Sequence, residues 1–326
     1  MTNVNGAPST GDRPDHTRKS DMAQLIGIDI GGTKTHVVVE ADEAHLDRPA
    51  RTELVVPSAD WRAGLGDVAA DARGLTRLLV ENFGSGVLAS ALAVGAHGCE
   101  NTEQCHALER ALGTMINGPV VVVNDSELIP PAMGAERAIG VVVGTGSIAT
   151  ARDARGELVS AGGWGWFLGD EGSAPGLVRE ATRAVLDSRD RGEPLDALGR
   201  RLLAAFDAGN GDELALAVTE TGSAEALGER APEVFAAADD GSDLAVTVVR
   251  DAGAHLAALV DRLLLRGIAA DSVVAGGSVI ERQPRLQHAF ASALADRRPG
   301  LALRILDRPP VEGAVALARG LSPAFR

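Results

Sequence analysis

The chain has few cysteines, an excess of acidic residues and no long apolar run. Its two cysteines, Cys99 and Cys105, are expected to be free thiols of an intracellular protein. Neither a CxxC nor an HExxH pattern occurs, so zinc is disfavoured and His97 and His106 are interpreted as ordinary polar residues. The formal net charge of −14 opposes binding to nucleic acid, whose phosphates require a basic surface.

No apolar segment reaches the length of a membrane span, and the first 22 residues are too polar for a signal sequence. We therefore predict a disordered leader over residues 1–22, a cytoplasmic location and no membrane partner. At 326 residues the chain is long for a single core. We predict two domains, residues 23–137 and 138–326, the second with a helical insertion.

The most informative segment is Leu25–Glu40, LIGIDIGGTKTHVVVE, in which an apolar strand ends beside a glycine turn. Glycines let backbone N–H groups approach an anion because no Cβ intervenes. Asp29 stands at the strand end, where it can hold Mg²⁺ through water. The first phosphate-binding turn is predicted to consist of Gly31, Gly32, Thr33 and Lys34.

The chain repeats this pattern, because residues 25–35 align without gaps on residues 138–148. Asp29 falls on Val142, so only the first copy carries the carboxylate. Two ordinary glycine-rich hairpins are the alternative, but two copies in separate halves favour a duplicated architecture with phosphates between them. The second predicted turn consists of Gly144, Thr145, Gly146 and Ser147. A third strand-and-glycine turn suits the adenine and ribose of a nucleotide and contains Gly276, Gly277 and Ser278.

Strand and helix patterns alternate along the chain, which predicts an α/β protein. Predicted strands are Leu25–Ile30, Thr35–Glu40, Arg51–Val56, Val87–Gly95, Val120–Val123, Ile139–Val143, Ile148–Arg152, Glu157–Ser160, Ser272–Ala275 and Leu301–Leu306. Predicted helices are Asp60–Asn82, Thr102–Met115, Glu127–Arg137, Pro175–Asp187, several over Asp187–Asp240, Asp243–Arg266 and Pro310–Gly320. We expect the last helix to cross back to the first domain.

Five segments occur in a characteristic order: IDIGGTKT, VNDSE, VGTGS, GGWGWFLGDEGS and AGGSV. This order resembles the N-acetylglucosamine kinase-like branch of the BadF/BadG/BcrA/BcrD ATPase family, within the actin, hexokinase and Hsp70-like superfamily. The resemblance runs from about Leu25 to the end of the chain. It implies two ribonuclease-H-like (actin/hexokinase-type) α/β domains around a nucleotide and sugar cleft. It also implies ATP and Mg²⁺ as cofactors, an amino sugar as the small-molecule partner and a homodimer.

The resemblance assigns the catalytic base to Asp125, at the end of the strand Val120–Val123. From the residues alone, a carboxylate at a strand end is well placed to accept a proton, and capping of the helix that follows is the alternative, which does not exclude the base role. The segment Gly162–Ser173, GGWGWFLGDEGS, is called the tryptophan-rich loop. For its Trp166, packing is favoured over sugar contact, while Glu171 is expected to cap the next helix or hold the loop. The implied substrate-binding set is Asn124, Asp125, Gly163, Trp164 and Asp170.

One departure from the family concerns the loop Pro57–Trp61, where Ala59 replaces an asparagine of members that use N-acetylglucosamine. Alanine cannot hydrogen-bond a sugar, but Ser58 or Asp60 could substitute, and an acidic group would suit an amine. We predict an ATP-dependent kinase that converts N-acetylglucosamine to its 6-phosphate, with glucosamine as an alternative substrate. Two rival hypotheses are a BadF-type ATPase activator of a dehydratase or reductase, which needs a shared [4Fe–4S] cluster, and a non-catalytic sugar sensor.

Overall fold

The structure is a computed structural model that describes residues 24–41, 51–62 and 67–322. The predicted leader, residues 1–22, lies outside the described residues. Among the described helices, none combines the length and apolar character needed to cross a bilayer.

Ten described strands form two five-stranded sheets, in the orders β3-β2-β1-β4-β5 and β8-β7-β6-β9-β10. The strands are β1 Gln24–Ile30, β2 Lys34–Ala41, β3 Arg51–Pro57, β4 Ala91–Ala96, β5 Val120–Asn124, β6 Ala138–Val143, β7 Ser147–Arg152, β8 Leu158–Gly162, β9 Ser272–Gly276 and β10 Ala302–Ile305. In each sheet the first three strands form an antiparallel meander, and two parallel strands follow. The predicted duplication is therefore present in the topology, with β1 matching β6.

Helices cover the faces of both sheets, as an α/β layer architecture requires. They are α1 Val68–Phe83, α2 Thr102–Gly113, α3 Ile129–Ala132, α4 Ala174–Asp190, α5 Ala197–Ala205, α6 Gly211–Glu220, α7 Ala224–Gly228, α8 Ala231–Asp239, α9 Asp243–Leu265, α10 Pro284–Arg297 and α11 Val311–Leu321. Helices α5 to α8 form the predicted insertion in the second half of the chain.

Several predicted boundaries are wrong for identifiable reasons. The strand predicted at Val87–Gly95 begins at Ala91, because a 3-10 turn first carries the chain from α1 to the sheet. The helix predicted at Glu127–Arg137 is a 3-10 turn followed by a single α turn, which ends just before Gly134, a glycine with a φ of +62°.

Two further differences concern helix positions. Helix α1 begins at Val68 rather than Asp60, and the Asp67 carboxylate caps it by accepting a hydrogen bond from the Ala70 N–H. Helix α10 was not predicted, although Leu286, Phe290 and Leu294 recur every four residues and are buried.

The C-terminal helix α11 crosses back to the first sheet, as expected. Its backbone lies so close to β1 that a Cβ on Gly27 would stand 2.5 Å from the Val315 nitrogen. On another face of the same helix, a Cβ on Gly313 would stand 1.9 Å from the Leu128 carbonyl oxygen. Helix α11 thus packs against the strand and turn that carry the predicted chemistry. The domain division near Arg137 remains a prediction.

We expect Gly313→Ala to destabilise the fold by about 3 kcal/mol, because the added methyl meets backbone that cannot move without displacing the 3-10 turn. The matched control is Gly320→Ala on the same helix, where an added Cβ meets nothing within 4 Å. Urea unfolding of both variants makes the comparison. Equal midpoints for the two variants would contradict the close packing of α11.

Candidate active site

The parallel strands β1, β4 and β5 end at one edge of the first sheet. Ile30 pairs with Ala96, and Ala96 pairs with Asn124. The residues next to these positions are therefore neighbours across the sheet, and they include Asp29, His97 and Asp125. Ligand sites form at the carboxyl edge of parallel strands because loops converge there. This edge is the centre of the candidate active site.

The first predicted turn is closed by a backbone hydrogen bond from the Gly31 N–H to the Lys34 carbonyl, at 2.9 Å. Ser58, from the short 3-10 turn after β3, stabilises this first turn through two hydrogen bonds. Its N–H donates to the Thr33 carbonyl at 2.9 Å, and its hydroxyl donates to the Gly31 carbonyl at 2.9 Å. Gly32, Thr33 and Lys34 are left exposed, as a phosphate-binding turn requires.

A chain of buried hydrogen bonds locks Ser58 in this supporting role. The Trp61 indole N–H donates to the Thr35 hydroxyl at 3.0 Å, which in turn lies 3.0 Å from the Ser58 hydroxyl. Ser58 is 3% exposed. It is therefore used by the protein itself, which leaves the exposed Ala59 and Asp60 as the side chains of this turn that can face a ligand.

Asp29 is only partly exposed at the end of β1, and its electrostatics are unusual. Burial and the nearby Asp125 carboxylate raise its pKa to about 7, against the opposing effect of Lys34. A cation bound nearby would stabilise the ionised form of a carboxylate that lies close to a second carboxylate. No group of three or more metal-ligand side chains occurs within the described residues. The donor set thus fits a hydrated Mg²⁺ held through water rather than a directly liganded ion.

Asp125 follows β5 at the start of a 3-10 turn, but it does not cap that turn. Asn124 is the cap: its side-chain oxygen accepts from the Ser126 N–H at 3.0 Å, and its own N–H donates to Glu127 at 2.9 Å. The Asn124 amide also donates to the Cys99 carbonyl at 3.0 Å. Asn124 is buried and structurally engaged, whereas the Asp125 side chain is one-third exposed.

The Asp125 turn is braced by the second sheet. The Ser126 hydroxyl lies 2.9 Å from the Thr150 hydroxyl on β7. Glu127 forms a bidentate ion pair with Arg152, also on β7, with N–O distances of 2.6 and 2.9 Å. Bidentate pairs fix orientation as well as distance. The candidate base is thereby positioned by both halves of the molecule.

The second predicted turn and the third glycine turn lie side by side. A Cβ built on Gly144 would be 3.5 Å from the Ser278 hydroxyl. Gly277 adopts a φ of +116°, and a Cβ there would stand 2.6 Å from the Val143 carbonyl oxygen, so only glycine fits. These turns, with the exposed Thr145, form a second surface of bare backbone.

Asp170 joins the second turn to the tryptophan-rich loop. It is 6% exposed, adopts a positive φ of 57°, and its carboxylate lies 3.2 Å from the position of a Cβ on Gly146. Burial raises the pKa of Asp170, while the Ser147 and Gly165 backbone amides oppose that rise. One Asp170 carboxylate oxygen is buried and has no hydrogen-bond partner among the described residues. Such an oxygen would be stabilised by a hydrogen bond from a ligand or a water molecule.

The tryptophan-rich loop presents an apolar surface. Trp164, Phe167 and Leu168 are exposed, whereas Trp166 packs against a buried cluster beside α4, which confirms its packing role. Arg179 of α4 ties the loop down by donating to the Trp166 and Gly169 carbonyls, the latter at 2.8 Å.

Glu171 does not cap α4. Its carbonyl accepts from the Ser147 hydroxyl, and Ser173 caps the helix. The sequence interpretation gave two residues that shape the site another role, Ser58 as a possible sugar ligand and His97 as an ordinary polar residue, and it did not consider Arg179. The structure brings Asp29, the first turn and Asp125 together at one edge of the first sheet. It brings the second turn, the third turn and Asp170 together at an edge of the second sheet.

The duplicated five-stranded sheets have the actin/hexokinase-like fold, which similar solved structures share. The chain belongs to the BadF/BadG/BcrA/BcrD ATPase family, whose sequence profile matches residues 120–318. It is 36% identical over 182 residues to the N-acetylmuramic acid/N-acetylglucosamine kinase of Clostridium acetobutylicum. That alignment covers 53% of this chain and 56% of the Clostridium protein.

A full-length relative and a crystal structure extend the comparison. The N-acetyl-D-glucosamine kinase of Dictyostelium discoideum is 24% identical over 315 residues, which is 90% of this chain and 97% of that protein. A Chromobacterium violaceum protein assigned provisionally as an N-acetylglucosamine kinase has the same fold, with a TM-score of 0.62 and 22% identity. The match covers 91% of this chain and 99% of that one.

We expect Asp29→Asn to stabilise the metal-free protein by about 2–4 kcal/mol above pH 7, because it removes a carboxyl group whose pKa is raised on folding. The wild-type carboxyl is protonated when folded but ionised when unfolded between about pH 4 and pH 7. Wild-type stability should therefore fall relative to the variant as the pH rises through this range. Unfolding at pH 4, 6 and 8 measures the difference, with the exposed Asp296→Asn as control. A difference that does not change with pH would contradict it.

Proposed function

We propose that the protein is an ATP-dependent amino-sugar kinase that phosphorylates the 6-hydroxyl of N-acetylglucosamine. The observation that carries the proposal is the placement of a partly exposed carboxylate, Asp125, at the same sheet edge as a bare phosphate turn and Asp29. The family membership and the names of the two relatives support it. A base, a phosphate turn and a metal-binding carboxylate are the parts that phosphoryl transfer to a hydroxyl requires.

In this proposal Asp125 accepts the proton of the sugar hydroxyl as the hydroxyl oxygen attacks the γ-phosphorus, and ADP leaves with the bridging oxygen. The exposed first turn, Gly31 to Lys34, binds the β- and γ-phosphates. Asp29 would hold Mg²⁺ through water, and the ion would offset phosphate charge. The second turn binds the phosphates from the other side. The third turn, Gly276 to Ser278, receives the nucleoside.

The sugar is assigned to the cleft between Asp125 and the tryptophan-rich loop. The unpartnered Asp170 carboxylate oxygen accepts from a sugar hydroxyl, and Gly163 and Trp164 present backbone and an aromatic face to the ring. The buried Asn124 contributes by holding the Asp125 turn, and its role in direct sugar binding stays a prediction. The homodimer and the cytoplasmic location also remain predictions.

Asp125→Asn should retain nucleotide binding and lose at least about 1,000-fold in kcat, because the amide keeps the shape but cannot accept the proton. A coupled ADP-release assay measures turnover, and a fluorescent ATP analogue measures binding. The control is Asp153→Asn, a surface carboxylate in the β7–β8 hairpin. Turnover within tenfold of wild type would remove Asp125 from the base role.

Glucosamine is the second candidate substrate, and a specific observation favours it. Ala59 lacks a hydrogen-bonding side chain, the Ser58 hydroxyl is already engaged, and the neighbouring Asp60 carboxylate is exposed. A carboxylate suits the ammonium group of glucosamine better than an acetamide.

If glucosamine is the substrate, Asp60→Asn should lower kcat/KM for it by about tenfold, the worth of a charge-assisted hydrogen bond, and leave N-acetylglucosamine unaffected. A substrate panel of N-acetylglucosamine, glucosamine, N-acetylmannosamine, N-acetylmuramic acid and glucose decides between the candidates. An equal effect of Asp60→Asn on both amino sugars would show that Asp60 does not recognise the amine.

The hypothesis of an ATPase activator is disfavoured by the positions of the thiols. Cys99 and Cys105, the two cysteines of the sequence, are 6% and 0% exposed, and the Cys105 thiol lies 3.8 Å from the Cys99 carbonyl oxygen. An iron–sulfur cluster shared between subunits needs exposed, widely separated sulfur ligands. Neither thiol meets that need.

A further inference from the structure

His97 lies at the centre of the candidate site, between the first turn and Asp125. Its Nδ1 is 3.6 Å from an Asp125 carboxylate oxygen, which is ion-pair range. A Cβ built on Gly32 would be 3.6 Å from the imidazole ring. The His97 side chain is 46% exposed, so it borders the cleft rather than the core.

The backbone of His97 is fixed on both sides, which sets the position of its Cα at the sheet edge. Its N–H donates to the Ile30 carbonyl at 2.8 Å and so extends the pairing of β1 with β4 by one residue. Its carbonyl accepts from Arg62 Nη1 at 3.0 Å. Arg62 is anchored in turn by the Asp71 carboxylate of α1, at 2.8 Å. These contacts fix the backbone from which the imidazole extends to within 3.6 Å of the Asp125 carboxylate.

We propose that His97 is a positioning residue for the catalytic base, holding the Asp125 carboxylate in its proton-accepting orientation through an ion pair. The inference rests on the proposed function, in which Asp125 receives the sugar proton. The His97 Nδ1 lies in ion-pair range of one carboxylate oxygen. The Ser126 N–H donates to the other, at 2.9 Å.

The charges around His97 agree with this role. The neighbouring Asp125 carboxylate raises the pKa of the His97 imidazole above its ordinary value, and Glu100 adds to the rise, while burial and Arg62 oppose it. Asp29 of β1 and Lys34 of β2 border the same sheet edge. An imidazolium beside a carboxylate favours the ionised form of that carboxylate as the pH falls.

The pair can be tested without turnover, by NMR titration of the imidazole in the ligand-free protein. His97→Asn assigns the signal, and the His97 pKa is then compared in wild type and Asp125→Asn. We expect it above the ordinary value in wild type and lower in Asp125→Asn. An unchanged pKa would overturn the pairing, whether or not the protein phosphorylates sugars.

Kinetics then test the consequence for catalysis. His97→Ala should lower kcat by about 10- to 100-fold with little change in the KM for sugar, because orientation rather than binding is lost. His97→Asn keeps a polar group near the Nδ1 position and should recover most of kcat. Because asparagine stays neutral, the acid limb of its kcat/KM profile should move to higher pH.

The matched control is His106→Ala, which removes an exposed imidazole from α2. It should leave kcat and the pH profile unchanged. A His97→Ala variant that matches wild type in both would overturn the inference. A wild-type protein that turns over no sugar would instead overturn the proposed function, while the NMR result would still decide the His97–Asp125 pair.

Discussion

The candidate site depends on the parallel register of β1, β4 and β5. Because Ile30, Ala96 and Asn124 pair in one row, the residues next to them are brought to one edge without any contribution from long flexible loops. Asp29, His97 and Asp125 come from segments almost a hundred residues apart, yet a register shift of one residue in any strand would separate them. The buried valines and isoleucines of these strands, which fix that register, are therefore as necessary to the site as its polar groups.

The duplication explains why the two edges of the cleft differ in character. In the second sheet the topological counterpart of Asp29 is Val142, and the counterpart of His97 is Ser278. The first copy carries groups that titrate, whereas the second presents bare backbone and hydroxyls. In the proposed function the first copy supplies the base and one phosphate-binding turn, and the second copy supplies the turns that bind the nucleoside and the other side of the phosphates. One sheet topology thus gives two chemically different edges, because the residues at matching positions differ between the copies.

Much of this arrangement is predictable from the sequence, because it depends on local patterns. Glycine turns after apolar strands predict all three turns, and the strand pattern predicts nearly every strand and the return of the last helix. Helix α10 was missed because its apolar repeat is short and follows directly on the third glycine turn. The helix predicted at Glu127–Arg137 was overestimated because Gly134, whose positive φ marks the end of the helix, was not recognised as a stop signal in the sequence.

The roles of Ser58 and His97 could not be predicted, because both arise from tertiary contacts. Ser58 was a candidate for sugar binding, yet its hydroxyl is consumed by Gly31 and Thr35 across the sheet. His97 has no motif around it; its significance comes from a carboxylate 28 positions further along the chain. Sequence motifs thus identify turns whose backbone can bind a ligand. They do not identify side chains whose role is to position other groups of the site through tertiary contacts.

The electrostatics of the site conflict with the stability of the empty protein. The Asp125 carboxylate adds to the cost of ionising Asp29 at a partly buried edge, in a chain whose net charge is already −14. Lys34 and the imidazole of His97 are the cations of the described residues that the structure places against these two carboxylates. They offset the repulsion only in part, because the pKa of Asp29 stays near 7. The remaining negative potential suits a hydrated cation. In this arrangement the repulsion that weakens the empty site is the property that would draw the metal–nucleotide complex into it.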